Sequence, residues 1–244
     1  MPLSILYKDE DLVVIDKPPG LLVHRTDLDR RIQQVAMQRL RNQLGQPVFV
    51  VHRLDRGTSG VLLFALHREA ARFLINEFQQ RRVKKEYTAL VRGYTDDCGE
   101  IDTPLYEKLD PICDAQADPN KAPQTALTEY KTLDRIELPC AVGRYATARY
   151  SLVRINPHTG RRHQIRRHFN YLSHPVIGDT THGDHRHNRF FREQLGIDRM
   201  LLMSNRLEIR HPSSLDTLTV ELPTEDLCNF SHLQEIAERH KRVG

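Results

Sequence analysis

Short apolar or alternating segments, each closed by turn residues, constrain this chain most. Nine of them stand out: Leu3–Tyr7, Leu12–Asp16, Val48–Val51, Gly60–Leu66, Tyr87–Arg92, Ala126–Leu133, Arg149–Ile155, Leu201–Ile209 and Leu218–Leu222. They are rich in Val, Ile, Leu and Tyr, the residues that suit a pleated surface. Lys8–Asp11 and Leu133–Glu137 read as hairpin turns. Helical spacing is rarer. Ile32, Val35, Ala36, Leu40 and Leu44 share a 3.6-residue period that stops at Gly45, and Ala70, Ala71, Leu74 and Phe78 share another. Ile165, Phe169 and Leu172 predict a short helix ending before Pro175. Leu227, Phe230, Leu233, Ile236 and Ala237 predict a C-terminal one with Thr224 as N-cap. Strands outnumber helices and do not alternate with them. That pattern predicts an α+β fold with a mostly antiparallel sheet.

The 244 residues suffice for one large domain with a substantial core. The stretch 96–125 is polar, holds four prolines and reads as an excursion from that domain. The longest apolar run, Val61 to Leu66, is far short of a membrane span, and the N-terminus lacks the pattern of a secretory signal. A cytoplasmic protein with no membrane partner is expected. Cys98, Cys113, Cys140 and Cys228 form no Cys-x-x-Cys pair, which argues for reduced thiols rather than a zinc ribbon or a disulfide framework. His182, His185 and His187 with Asp184 match no zinc template, so no metal is expected and the segment reads as a loop.

Net charge is only +4, but "GRRHQIRRH" (160–168) and "QQRRVKKEY" (79–87) concentrate the basic groups. Such patches fit either a phosphate-rich partner or a solvated charged face. Between two apolar runs, "VVHRLDRGTSGVLLFAL" (50–66) inserts Asp55 flanked by Arg53 and Arg56, then Gly57 and Gly60. Read alone, this is a tight turn whose aspartate caps its own backbone. Read with the arginine-rich segment, it is half of a site. Arg162 and Arg166 are four apart and share a helical face. A carboxylate in a cleft needs a cation, and a guanidinium partner keeps it anionic at neutral pH. An anionic acid suits nucleophilic attack or proton removal, not acid catalysis. A hydrolase pairing Asp55 with His52 is a weaker reading, because close neighbours on a strand alternate in direction.

Several motifs carry a resemblance to the RluA-type pseudouridine synthases. "DKPPGLLVH" (16–24), "HRLDRGTSG" (52–60), "KKEYTALVRG" (84–93) and "TGRRHQIRRHF" (159–169) with "HPVIGDTTHGD" (174–184) follow the family's order across residues 11–184. "GRYATARYSLVRINPHTGRRHQIRRH" (143–168) and "HGDHRHN" (182–188) resemble a subgroup that acts on tRNA and lacks an N-terminal S4-like RNA-binding domain. Two departures are visible: Asp16 stands where the family writes Asn, and Met203 where it tends to show His.

The resemblance implies a mixed, mostly antiparallel catalytic sheet with flanking helices and a central cleft. It also implies a monomer that isomerises uridine in tRNA, in the T-stem, without a cofactor. It makes Asp55 the essential carboxylate, Tyr87 the ring against the uracil and Arg166 the partner of the acid. Arg53 becomes the group that fills the flipped base's place, two residues before Asp55 on the same strand face. His52, Lys85, Arg161, Arg162, His163 and Arg167 become RNA contacts. The competing expectations are a related synthase acting on another tRNA site or on ribosomal RNA, and a non-catalytic RNA-binding or folding factor on the same fold. The motifs contain no Walker A or GxGxxG pattern.

Overall fold

In the computed structural model, which describes residues 2–24, 34–106 and 122–227 together with Leu233 and Glu235, ten strands form one open sheet. The strands are β1 (Ser4–Lys8), β2 (Leu12–Lys17), β3 (Phe49–Val50), β4 (Ser59–Ala65), β5 (Lys84–Arg92), β6 (Cys98–Asp102), β7 (Leu127–Leu138), β8 (Ala148–Pro157), β9 (Leu202–Arg210) and β10 (Thr217–Glu221). The helices are α1 (Ala36–Leu44), α2 (Arg68–Gln79), α3 (Gln164–Tyr171) and α4 (His185–Leu195). The order is β1-β2-β4-β9-β5-β8-β7-β6, with β3 against β4 and β10 against β9. Pairing is antiparallel except between β4 and β9, which run parallel over Ser59–Met203 and Gly60–Ser204. The expected mixed, mostly antiparallel α+β sheet is what forms.

The continuous apolar run of β4 follows from burial on both faces. Val61, Leu63 and Ala65 pack with Ala70, Ala71 and Leu74 of α2. Leu62 and Phe64 pack on the other side with Ala36 and Leu40 of α1. A strand covered twice has no polar face to alternate with. Each large side chain buried there contributes about 1.5–3 kcal/mol. β5 repeats the arrangement, with Ala89 and Val91 toward α3 and Leu90 toward α4. α1 stops where expected, because Gly45 takes the left-handed conformation that closes a helix. Ile32 lies outside the described residues.

All nine expected strands form, but four local readings need correction. Leu133–Glu137 is not a turn: β7 runs through it, paired with β8, and only a register shift between Thr132 and Asp134 marks the place. The chain reverses later, between Leu138 and Ala148. The His182–His187 segment is not all loop, because Asp184 accepts the amides of Arg186 and His187 and starts α4. Arg162 and Arg166 do not share a helical face: α3 begins at Gln164, after a left-handed His163. β6 was not expected. It is the short edge strand inside the 96–125 stretch, and a bridge joins Leu105 to Gln124. Pro111, Pro119, Cys113, Cys228 and most of the expected C-terminal helix lie outside the described residues. Thr224 opens a single 3-10 turn, with Pro223 as its N-cap. Among the described residues, no helix is long and apolar enough to cross a membrane.

Candidate active site

The loop between β3 and β4 carries Asp55, and two strand registers decide where it sits. β4 starts against Met203 and Ser204 of β9, and β9 places those same residues against Thr88 and Tyr87 of β5. Gly60 permits this approach. Its φ is +100°, and a Cβ there would stand 2.2 Å from the Ser204 carbonyl oxygen. A register shift in β5 between Glu86 and Tyr87 re-aims the tyrosine at this junction.

The flanking arginines do not hold Asp55. Arg53 and Arg56 are exposed, Leu54 is buried, and Arg56 Nε donates to the Gly20 carbonyl at 3.1 Å. Nor do Arg53 and Asp55 share a strand face, since β3 ends at Val50 and both belong to the loop. The loop is fixed from below by Lys17. Its ammonium donates to the carbonyls of Pro18 (2.9 Å), Leu21 (2.8 Å) and Arg56 (3.2 Å), using all three donors. Burial pulls Lys17 down to about 8, against the opposing pull of Asp55 and Asp16. The "DKPPG" segment thus grips the "RLDR" segment.

Asp55 points to Arg166. Asp55 Oδ2 accepts from Arg166 Nη1 at 3.1 Å, and the carboxylate keeps 26% exposure. The guanidinium is held from behind by Asp179, through Nε–Oδ2 and Nη2–Oδ1 bonds of 2.7 Å each. Asp179 also accepts the amides of Thr181 (2.9 Å) and His182 (3.0 Å). Burial works against the charge on Arg166, but two carboxylates outweigh it and hold it protonated. Burial also works against ionised Asp179, and its four donors hold the carboxyl below its ordinary value. The sequence put Arg166 beside Asp55 but gave Asp179 and Lys17 no role. Both lie in quoted motifs, and that is the only signal that could have found them.

Asp55, Arg166 and Tyr87 line one open cleft of about 930 Å3. Burial, then the Asp55 charge, raises the Tyr87 hydroxyl well above its ordinary value, while a hydrogen bond with Ser204 opposes the rise. Tyr87 therefore stays neutral and presents a ring. Arg53, Arg81, Lys85, Arg161, Arg162 and Arg166 also line the cleft, and Asp55 is its only acidic residue among those described. Arg81 was quoted only as part of a basic run. Arg161 Nε donates to the Thr125 carbonyl at 3.1 Å, which steadies that wall.

The remaining predicted contacts separate. Arg167 is not on the cleft wall and donates to the Tyr106 carbonyl at 2.8 Å. His52 lines the cleft, but its ring stacks on Phe78 at 4.6 Å and its Nε2 accepts the Leu63 amide at 3.0 Å. Burial, then Lys85, pushes it down to about 3, so it is a neutral pin across the hairpin. His163 sits in the wall with Nδ1 3.0 Å from His182 Nε2, and burial pushes it down to about 4. Met203, in the place of the family's histidine, is buried in the core.

A family model described as RNA pseudouridylate synthase matches residues 11–171. The tRNA pseudouridine synthase C of Pectobacterium carotovorum is 51% identical over 219 residues. That match covers 90% of this chain but only 58% of the relative's length. The protein of that name from Haemophilus ducreyi is 50% identical over 220 residues, covering 90% of each chain. Among solved structures, human RNA Pseudouridylate Synthase Domain Containing 1 superposes with a TM-score of 0.70 at 28% identity. It covers 93% of this chain and 86% of its own.

Proposed function

The chain belongs to the RNA pseudouridylate synthase family, and from that premise we propose that it converts one uridine of tRNA to pseudouridine, in the T-stem near the acceptor arm. The observation that carries this reading is the cleft's charge pattern: a single, half-buried carboxylate among six Lys and Arg side chains. A phosphate backbone neutralises the cations, and the acid is left for the chemistry.

The reaction breaks the N-glycosidic bond, turns the uracil and joins C5 to C1′. The target base must leave its stack, which costs a few kcal/mol. Arg53, at the exposed rim, takes the vacated space. Tyr87 lies against the uracil, where stacking contributes about 1–3 kcal/mol. Asp55, oriented by Arg166, acts on the ribose. It either adds to C1′ or removes the C2′ proton, and a primary deuterium isotope effect at C2′ separates the two. Lys85, Arg161, Arg162 and His163 hold the strand around the flipped nucleotide. No atom is added and no oxidation state changes, so turnover is expected to continue in EDTA. The tRNA assignment rests on the relatives' names, and the enzyme is read as a cytoplasmic monomer.

The test is to map pseudouridine in unmodified tRNA after incubation with the protein. The expected result is one new pseudouridine in the T-stem with the wild type and none with Asp55→Ala, which still binds the RNA within a few-fold. Modification of ribosomal RNA alone would overturn the tRNA assignment. Binding without any modification by the wild type would favour a non-catalytic RNA-binding factor.

A further inference from the structure

Two segments quoted for their resemblance, "GRYATARY" and "HGDHRHN", supply none of the groups that touch Asp55. Both converge on a second groove. It has a volume of about 830 Å3 and is lined by Arg92, Tyr94, Arg144, Tyr145, Arg149 and Arg186, among others. It lies beyond the far end of β5, since Tyr94 is seven residues past Tyr87. Along β5, the five residues from Tyr87 to Arg92 at the groove's edge span roughly 17 Å at about 3.3 Å each.

The groove's chemistry is that of a nucleic-acid surface. Tyr94 and Tyr145 are 40% and 64% exposed, so both rings are open to a stacking partner. The Arg144 guanidinium lies 4.7 Å from the Tyr145 ring centre, and that of Arg149 lies 5.2 Å from the Tyr94 ring centre. Arg92 is neutralised by Asp184, and Arg149 by Glu137 at 3.3 Å. Arg144 and Arg186 have no salt-bridged carboxylate among the described residues and come from the β7–β8 loop and α4. Arg144 Nη2 donates to Tyr145 Oη at 2.5 Å, which holds that guanidinium and ring together. Two guanidiniums with no salt-bridged carboxylate, beside two exposed rings, can take phosphate and a stacked base at once. An acidic peptide would match the charge but leave the rings without a partner.

We infer that this groove binds a second segment of the substrate RNA, away from the target uridine, and selects folded RNA over an isolated arm. The inference rests on the proposed activity. It does not require the groove to touch the reacting base.

The test compares an intact tRNA transcript with a short stem-loop carrying only the target arm, using the full chain. Arg144→Ala/Arg186→Ala is expected to raise KM for the intact transcript about tenfold and leave kcat unchanged. It should lower the slope of log Kd against log salt by about 1–2. KM for the stem-loop should stay within twofold. Tyr145→Ala removes a ring but no charge. It is expected to weaken the intact transcript about tenfold with the salt slope unchanged. Equal losses on both RNAs, or no loss on either, would overturn the inference. Absence of turnover by the wild type would instead sink the isomerase reading, and Kd for the two RNAs would still report on the groove.

Discussion

Two clusters in this molecule set a pair of aspartates against cationic or protonatable side chains, and only one of them leaves an acid open. At the β1–β2 turn, Asp9 accepts the amides of Asp11 and Leu12 on Oδ1, and Tyr7 Oη–H and His211 Nε2 on Oδ2. Asp11 meets His67 Nε2 at 2.8 Å on one oxygen and accepts Ser213 Oγ–H at 2.5 Å on the other. All four oxygens are occupied, so the cluster is a pin that ties β1, α2 and the β9–β10 turn together. Behind the cleft wall, Asp179 is equally saturated. Asp55 is not: Oδ2 takes one bond from Arg166, and Oδ1 has no donor among the described residues. A saturated carboxylate fixes structure. A carboxylate held on one oxygen by an arginine that is itself anchored from behind is fixed and still able to react.

The comparison breaks most visibly at Asp179. Asp179→Ala leaves buried Arg166 with a single carboxylate. It is expected to cost about 3–5 kcal/mol in urea unfolding and to lower kcat sharply. If kcat stays within threefold of wild type, Arg166 does not need its rear partner to place Asp55. Tyr87 comes next. Tyr87→Leu removes the ring and is expected to reduce kcat/KM about 10- to 100-fold, whereas Tyr87→Phe should lose only a few-fold. Equal losses would make the hydroxyl, not the ring, the working group.

The smallest effect belongs to the pin. Burial opposes ionised Asp9, but the Leu12 amide, Tyr7 and His211 hold its carboxyl below the ordinary 3.8. Asp11 is held down chiefly by Ser213. Depressed carboxyls contribute stability that is present above pH 3.8 and lost as pH falls through their lower folded values. Urea unfolding between pH 5 and 2.5 is expected to show this loss. Asp9→Asn should make the slope shallower, cost about 1 kcal/mol at pH 7 and leave turnover unchanged. A change in kcat would mean that the two clusters are coupled.

These regions were not equally legible in the sequence. The β3–β4 hairpin could be read because both faces of β4 are apolar and Gly57 and Gly60 bracket its entrance. α4 could not, because Phe191 is its one fully buried side chain and its residues otherwise read as polar loop. The pairing of Asp55 with Arg166 was inferred partly from a helical repeat with Arg162 that does not exist. It holds because β8 and α3 bring residue 166 there. Asp179 and Lys17 were invisible as chemistry, since nothing local marks a loop aspartate as the rear support of an arginine. Nor does anything local mark a strand lysine as the clasp on three carbonyls. His52 and Arg167 looked like RNA contacts because they are polar residues in motif positions, but their ring stack and carbonyl partners emerge only from the tertiary fold.

The central claim is that one half-satisfied carboxylate performs the isomerisation. The direct measurement is single-turnover tritium release from a tRNA transcript labelled at uridine C5, with enzyme in excess. The wild type should release tritium from one uridine per tRNA. Asp55→Asn should bind the same transcript with similar Kd and release none above background. Release by Asp55→Asn within tenfold of the wild-type rate would contradict the account.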